Sequence, residues 1–154
     1  MKTILIVLSS VLLFTSCKQE DEPQQNNTPG STNPAFTATL HDTSFTGNYF
    51  SNSYPGPLLQ LYAYDTVTQR SVTITVESKN TGTYAMTTIL NGTSASCQGG
   101  GGIGYYSIHG GGHGSVTISS SSASSVSGNF SFTGYNLSGT DSAAVSGQFS
   151  NMTF

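Results

Sequence analysis

The sequence predicts an all-β domain over residues 35–154, either an antiparallel β-sandwich or a partly closed β-barrel of about eight or nine strands, behind a signal peptide and a disordered tether. Two observations carry this expectation. Apolar residues alternate with polar ones in Phe36–Leu40, Leu59–Ala63, Val72–Val76, Val116–Ile118, Val126–Phe132 and Val145–Phe149, and Ser and Thr fill much of the opposite phase. A period of two sends one face of a strand to a core and the other to water, and no stretch of the domain repeats at helical spacing. The second observation is the punctuation between these runs: Asp42-Thr43, Tyr54-Pro55-Gly56-Pro57, Asn80-Thr81-Gly82 and Gly110-Gly111-Gly112. Gly supplies positive φ, Pro fixes φ for a turn, and Asn and Asp bond their own backbone, so short strands joined mostly as hairpins follow. Pattern alone leaves sandwich and barrel both open.

Taken in order, the chain opens with Lys2 and an apolar run from Ile4 to Phe14, interrupted only by Ser9 and Ser10 and closed by Thr15 and Ser16. That run is too short to span a bilayer as a helix, so residues 1–16 read as a signal peptide. Cys17 follows at once, then the charged run Lys18-Gln19-Glu20-Asp21-Glu22. Pro23 to Pro34 hold only Pro, Gln, Asn, Thr, Gly and Ser, with nothing to bury, and residues 17–34 read as a flexible tether. Residues 35–154 have the length of one domain and can bury a core without metal or disulfide. Only Cys17 and Cys97 are present, so a modified Cys17 leaves Cys97 unpaired.

Within the domain, Val126-Ser127-Gly128-Asn129-Phe130-Ser131 and Val145-Ser146-Gly147-Gln148-Phe149-Ser150 differ only at the residue before Phe. Such a pair has a packing rationale, since a strand glycine leaves a bare patch over which a neighbouring aromatic ring can lie. Eight tyrosines and no tryptophan form the chain's other resource. On the Leu58–Asp65 run, Gln60, Tyr62 and Tyr64 stand in the phase opposite Leu59, Leu61 and Ala63. They are expected either to pack in a second core face or to form an aromatic platform for a glycan or another small ligand, with Gln60 as hydrogen-bonding neighbour.

Chemistry is sparsely represented. Charged residues are 7% of the chain and its formal net charge is −3. The domain offers only Arg70 and Lys79 as permanent cations, which excludes a nucleic-acid partner that needs a basic stripe. Its acids, Asp42, Asp65, Glu77 and Asp141, are far apart in sequence, and the three Asp residues each precede Thr or Ser in an expected turn. Gly92-Thr93-Ser94-Ala95-Ser96 fails as a nucleophile elbow at its last residue. Gly99 to Gly104 satisfies a Gly-x-Gly-x-x-Gly pattern, but the strand-like Tyr105-Tyr106-Ser107-Ile108 follows where phosphate binding needs a helix start. No enzyme activity and no cofactor are expected. His109-Gly110-Gly111-Gly112-His113 reads as a hairpin with a three-residue loop and its imidazoles opposed. His109 and His113 could hold a metal ion if Cys97 or His41 supplied a third ligand; the plainer reading is two histidines flanking a flexible loop.

Four resemblances add to this. The apolar segment ending Phe14-Thr15-Ser16-Cys17 resembles the lipobox of bacterial lipoproteins, with Phe14 where that family usually has Leu. It implies acylation of Cys17 and a lasting membrane anchor, each buried methylene contributing about 0.8 kcal/mol. The acidic run after it resembles the export signal of Bacteroidetes-type surface lipoproteins. Asp65-Thr66-Val67 and Asp141-Ser142-Ala143 resemble acceptor sites at which such bacteria O-glycosylate exported proteins, implying modification at Thr66 and Ser142; Asp42-Thr43-Ser44 departs from that pattern at its third residue. The domain itself is similar to short β-rich Bacteroidetes lipoproteins carrying a domain of unknown function. That likeness rests on Phe36 to Gly47, Gly82-Thr83-Tyr84, Gly114 to Ser119, Val126 to Phe132 and the closing Val145 to Phe154. It implies an architecture and a location at the outer membrane, exposed on the cell surface, and brings no catalytic residue. The expected function is therefore a lipid-anchored cell-envelope protein with a non-enzymatic binding or structural domain; the alternative is a barrel that binds a glycan, another small ligand or a metal.

Overall fold

The structure, a computed structural model, describes residues 33–87 and 92–154. The signal segment, Cys17 and the tether as far as residue 32 lie outside the described residues. The rest is all-β, with no helix among the described residues. Its strands are β1 (Ala35–Leu40), β2 (Thr43–Thr46), β3 (Tyr49–Phe50), β4 (Leu59–Asp65), β5 (Arg70–Val76), β6 (Gly82–Ala85), β7 (Ser94–Gln98), β8 (Gly104–Tyr106), β9 (His113–Ser121), β10 (Ser125–Tyr135) and β11 (Ser142–Thr153).

All pairings are antiparallel, and the sheet path runs β2-β1-β11-β10-β8-β7-β5-β4-β3, with β9 on β10 and β6 on β9. The two ends of that path, β2 and β3, are successive pieces of one segment. At Gly47 this segment changes partner: Gly47 N–H still donates to Phe36 O on the β1 side, and Asn48 N–H donates to Tyr64 O on β4. The path therefore returns to its own start, which makes a barrel rather than a sandwich. β8 and β9 are likewise an interrupted strand lying along β10, and β6 and β7 run in one direction along β9 and β8. With β2–β3, these are three interrupted staves, and the other five strands are staves of their own, so the described residues form eight staves in up-and-down order. The eight or nine short strands expected from sequence correspond to these staves. Closure is partial: β8 meets β10 at one residue pair, Tyr106 with Tyr135, and β6 pairs only with β9 among the described strands.

The alternation seen in the sequence places the core inside this wall. Phe36, Phe45, Leu61, Ile74, Cys97, Val116, Phe130 and Val145, one from each stave, are all buried. A fully buried side chain of this kind contributes roughly 1.5–3 kcal/mol over its exposed state. The repeated Gly-x-Phe segments pack reciprocally. Gly128 lies opposite Phe149 and Phe130 opposite Gly147, so each ring covers the glycine of the other strand. One residue pair beyond, β10 and β11 slip register between Val126 and Gly128, and Asn151 takes φ of 51° to make the bulge.

The two ends of the barrel differ. At one end the chain enters at Pro34, and Lys79 ties the β5–β6 connection to Ser122 O and Ala123 O while its ammonium stands 5.2 Å from the ring centres of both Tyr54 and Phe154. At the other end stand four turns: His41-Asp42, residues 66–69, residues 99–103 and residues 136–141. His41 and Asp42, at φ of 47° and 59°, form a two-residue turn whose twist suits a hairpin.

Candidate functional site

Register builds a groove on the outer face. Tyr62 of β4 stands opposite Thr73 of β5, Thr73 opposite Ser96 of β7, and Ser96 opposite Tyr106 of β8. Because side chains alternate, all four project outward in one row across four strands. The next row reads Tyr64, Ser71, Gln98, Gly104. Small hydroxyl residues thus make a floor on β5 and β7, and tyrosines make the two walls, about 14 Å apart at three strand spacings. The resulting depression has a volume of about 280 Å³ and is continued along the strands by a smaller one of about 100 Å³ that shares Thr73, Ser96 and Tyr106. No Asp, Glu, Lys or Arg lines either part.

Both walls are braced. The Tyr62 and Tyr64 rings are nearly parallel, 6.5 Å apart, and Tyr49 meets Tyr62 edge-on at 6.4 Å. Tyr106 lies along its own strand over Gly104, where a Cβ would come within 2.8 Å of its hydroxyl oxygen, and His109 packs edge-on against it at 5.7 Å. Among the described residues, the hydroxyls of Ser71, Thr73, Thr75, Ser94 and Ser96 make no hydrogen bond within the protein.

The four-turn end of the barrel gathers most of the domain's charge. Asp42, Asp65, Arg70 and Asp141, separate in sequence, all lie there because every second turn of an up-and-down barrel falls at one end. Asp65 is bonded within its own turn. The Asp65 carboxylate accepts from Thr68 Oγ1 at 2.6 Å and Val67 N–H at 2.9 Å, and these bonds, the first foremost, hold its pKa below the ordinary value of 3.8. Asp141 accepts from its neighbour Ser142 N–H at 2.9 Å and from the Tyr105 hydroxyl at 2.8 Å, and the second bond raises the phenol's pKa. Arg70 faces Asp65 across the β4–β5 hairpin, and its Nε is buried without a hydrogen-bond partner. The Asp65 bonds and the Ser142 N–H bond are turn-forming, as the Asp-Thr and Asp-Ser pairs suggested, whereas the Tyr105 bond ties the β10–β11 turn to β8.

The residues singled out in the sequence fall as follows. Tyr62 lines the groove and Tyr64 braces it, both outside the core. Gln60 also faces out, but it lies beyond the groove and its Oε1 accepts from Ser53 Oγ. Thr66 and Ser142 are exposed at the four-turn end, where Thr66 Oγ1 accepts from Asn48 Nδ2 at 3.0 Å. His109 and His113 do not close a hairpin, contrary to expectation. β8 and β9 run in the same direction along β10, so residues 107–112 leave its edge and rejoin it, held by the buried Ser107 hydroxyl accepting from Ala95 N–H and by Tyr135 packed on Gly110. Of the proposed third ligands, His41 Nε2 is 3.0 Å from Ser142 O with its ring edge-on to Tyr105, and Cys97 faces the core, where burial pushes its thiol up to about 12. No three His, Cys, Asp or Glu come together as a metal-binding group among the described residues. The Gly99–Gly104 run is the turn joining β7 to β8, residues 99–103, together with the first residue of β8.

Thr73, Ser96 and Tyr106 were not legible as site residues, since only cross-strand register brings them beside Tyr62. Their membership of the outward polar phase was the one trace in the sequence. No curated protein and no solved structure matches this chain. A family described as a domain of unknown function (DUF6252) matches residues 32–153, and the chain belongs to that family.

Proposed function

We propose that this is a lipid-anchored cell-envelope protein, attached through Cys17 and exposed at the surface of a Bacteroidetes-type outer membrane, whose barrel acts without catalysis as a binding module. One observation carries the binding part of this reading: the barrel interior is filled by apolar side chains, so recognition falls to the outer wall, where tyrosines and unengaged hydroxyls form a groove. The anchor rests on the apolar segment, the small residues and Cys17. Within the barrel, Pro34 lies at the end opposite the four turns, and the groove runs along the wall between the two ends.

Growth with a labelled fatty acid tests the anchor. The native chain incorporates label and Cys17→Ala does not, and protease added to intact cells removes the domain. Equal labelling of the alanine variant, or complete protection in intact cells, would overturn the reading.

A further inference from the structure

The groove's chemistry narrows what it can bind. Its floor runs along β5 and β7 from Ser71 and Gln98 through Thr73 and Ser96 to Thr75 and Ser94, about 13 Å at strand rise. The hydroxyls on that floor are half-buried or deeper, and none is used inside the protein. A hydroxyl both donates and accepts, so a row of them matches a ligand whose own groups do both. Tyrosine adds an apolar face with a polar tip, suited to a ligand with apolar C–H faces between hydroxyls. No charged residue lines the groove, so an anionic or cationic ligand would find nothing to neutralise it. The polar floor also disfavours an apolar peptide or a lipid chain, which would leave those hydroxyls unpaired beneath it.

We infer that this outer groove binds a neutral carbohydrate chain laid along β5 and β7, with sugar rings against Tyr62 and Tyr106 and sugar hydroxyls on Thr73 and Ser96. This rests on the reading of the barrel as a module that works through its outer wall. Gly104 and His109 fix Tyr106, and Tyr49 and Tyr64 fix Tyr62, so little side-chain ordering remains on binding. The groove is shallow, and affinity near 0.1–1 mM, about −4 to −5.5 kcal/mol, is expected for a short chain.

The test uses the full chain carrying Cys17→Ala, titrated with maltohexaose, cellohexaose, xylohexaose and mannohexaose and with an oligogalacturonate as charged comparator, followed by amide NMR shifts. At least one neutral hexaose should move the Thr73 and Ser96 amides. Tyr62→Ala and Tyr106→Ala should each weaken binding about tenfold, Thr73→Val about threefold, and Tyr54→Ala, at the entry end, should leave it unchanged. All variants should melt close to the parent, and Thr73→Val, which keeps the strand's shape, guards against misfolding of the tyrosine variants. The inference is overturned if no neutral hexaose moves those amides at about 10 mM. It is equally overturned if the oligogalacturonate binds as tightly as the best neutral chain, or if the groove instead supports a dimer that Tyr62→Ala dissolves. Failure of the native chain to incorporate fatty acid, with groove binding intact, would sink the anchor alone; labelling of the native chain with no groove binding would sink the groove alone.

Discussion

Replacing Gly147 by alanine probes the feature that lets β1, β10 and β11 lie together. A Cβ built on Gly147 falls 2.2 Å from Thr37 O, 2.6 Å from Phe130 Cζ and 2.8 Å from Phe130 Cε1. Non-bonded carbons rest at about 3.5–4.0 Å, so each contact lies well inside the repulsive wall. The ring has little room to move: Phe130 is 3% exposed and stacks at 5.4 Å on Phe36 and 6.3 Å on Phe132. The carbonyl has less, because Ala38 pairs with Gly147 and a shift of β1 breaks that ladder. Overpacking costs roughly 1–3 kcal/mol where side chains can give way, and with backbone also in the way the top of that range, about 3 kcal/mol, is expected. Against a total stability of roughly 5–15 kcal/mol this is a large share, and Tm should fall by about 10–15 °C. Urea unfolding followed by tyrosine emission reads it directly, as the chain has no tryptophan. Gln148→Ala, exposed on the outer face, should stay within about 0.5 kcal/mol and serves as control. Combining Gly147→Ala with Phe130→Leu should show a coupling of about 1 kcal/mol, since the smaller side chain relieves part of the clash. A loss below about 1 kcal/mol for Gly147→Ala, at unchanged m-value, would refute the packing reasoning.

Three further outcomes are expected. Cys97, buried and with its thiol pushed up to about 12, should resist thiol reagents at pH 8 in the folded chain and react only as the barrel opens; rapid labelling in native buffer would place it elsewhere. Asp65 is stabilised as the carboxylate, so its contribution is present above the ordinary value of 3.8 and is lost as pH falls through its lower folded-state pKa; the melting gap between the parent chain and Asp65→Asn should therefore narrow below about pH 4, and a gap that widens there would reverse the sign. Protein from its native host should carry hexose-sized additions that disappear in the Thr66→Ala, Ser142→Ala double variant, and a native mass equal to that of the acylated chain alone would remove the modification.

Much of the fold was legible because one physical rule governs nearly every strand. Leu59, Leu61 and Ala63 face in while Gln60, Tyr62 and Tyr64 face out, as period-two alternation requires, and the Gly-x-Phe pair reports its own packing. The choice of barrel over sandwich was not legible. It depends on Gly47, where one segment leaves β1 and joins β4, and on two staves interrupted in mid-course; a local sequence reading sees these as separate short strands. The histidine pair misled for the same reason: a Gly-rich loop flanked by strands reads as a hairpin unless one knows that both flanks lie along the single long β10.

The groove was less legible than the core because the two are written in opposite phases of the same strands. Inward positions declare themselves by being apolar, whereas outward positions are mostly Ser and Thr everywhere, so composition does not separate a binding floor from ordinary wetted surface. What singles out Thr73 and Ser96 is their place between Tyr62 and Tyr106, and that place is set by register, which the core fixes: Ala63 pairs with Val72 and Val72 with Cys97. A slip of one residue in β5 would turn Thr73 inward and Ile74 outward, destroying floor and core together. The groove's geometry is thus held by residues that never line it. Conservative replacements on the floor should accordingly change recognition without changing stability, while replacements at Val72 or Ile74 should disturb both.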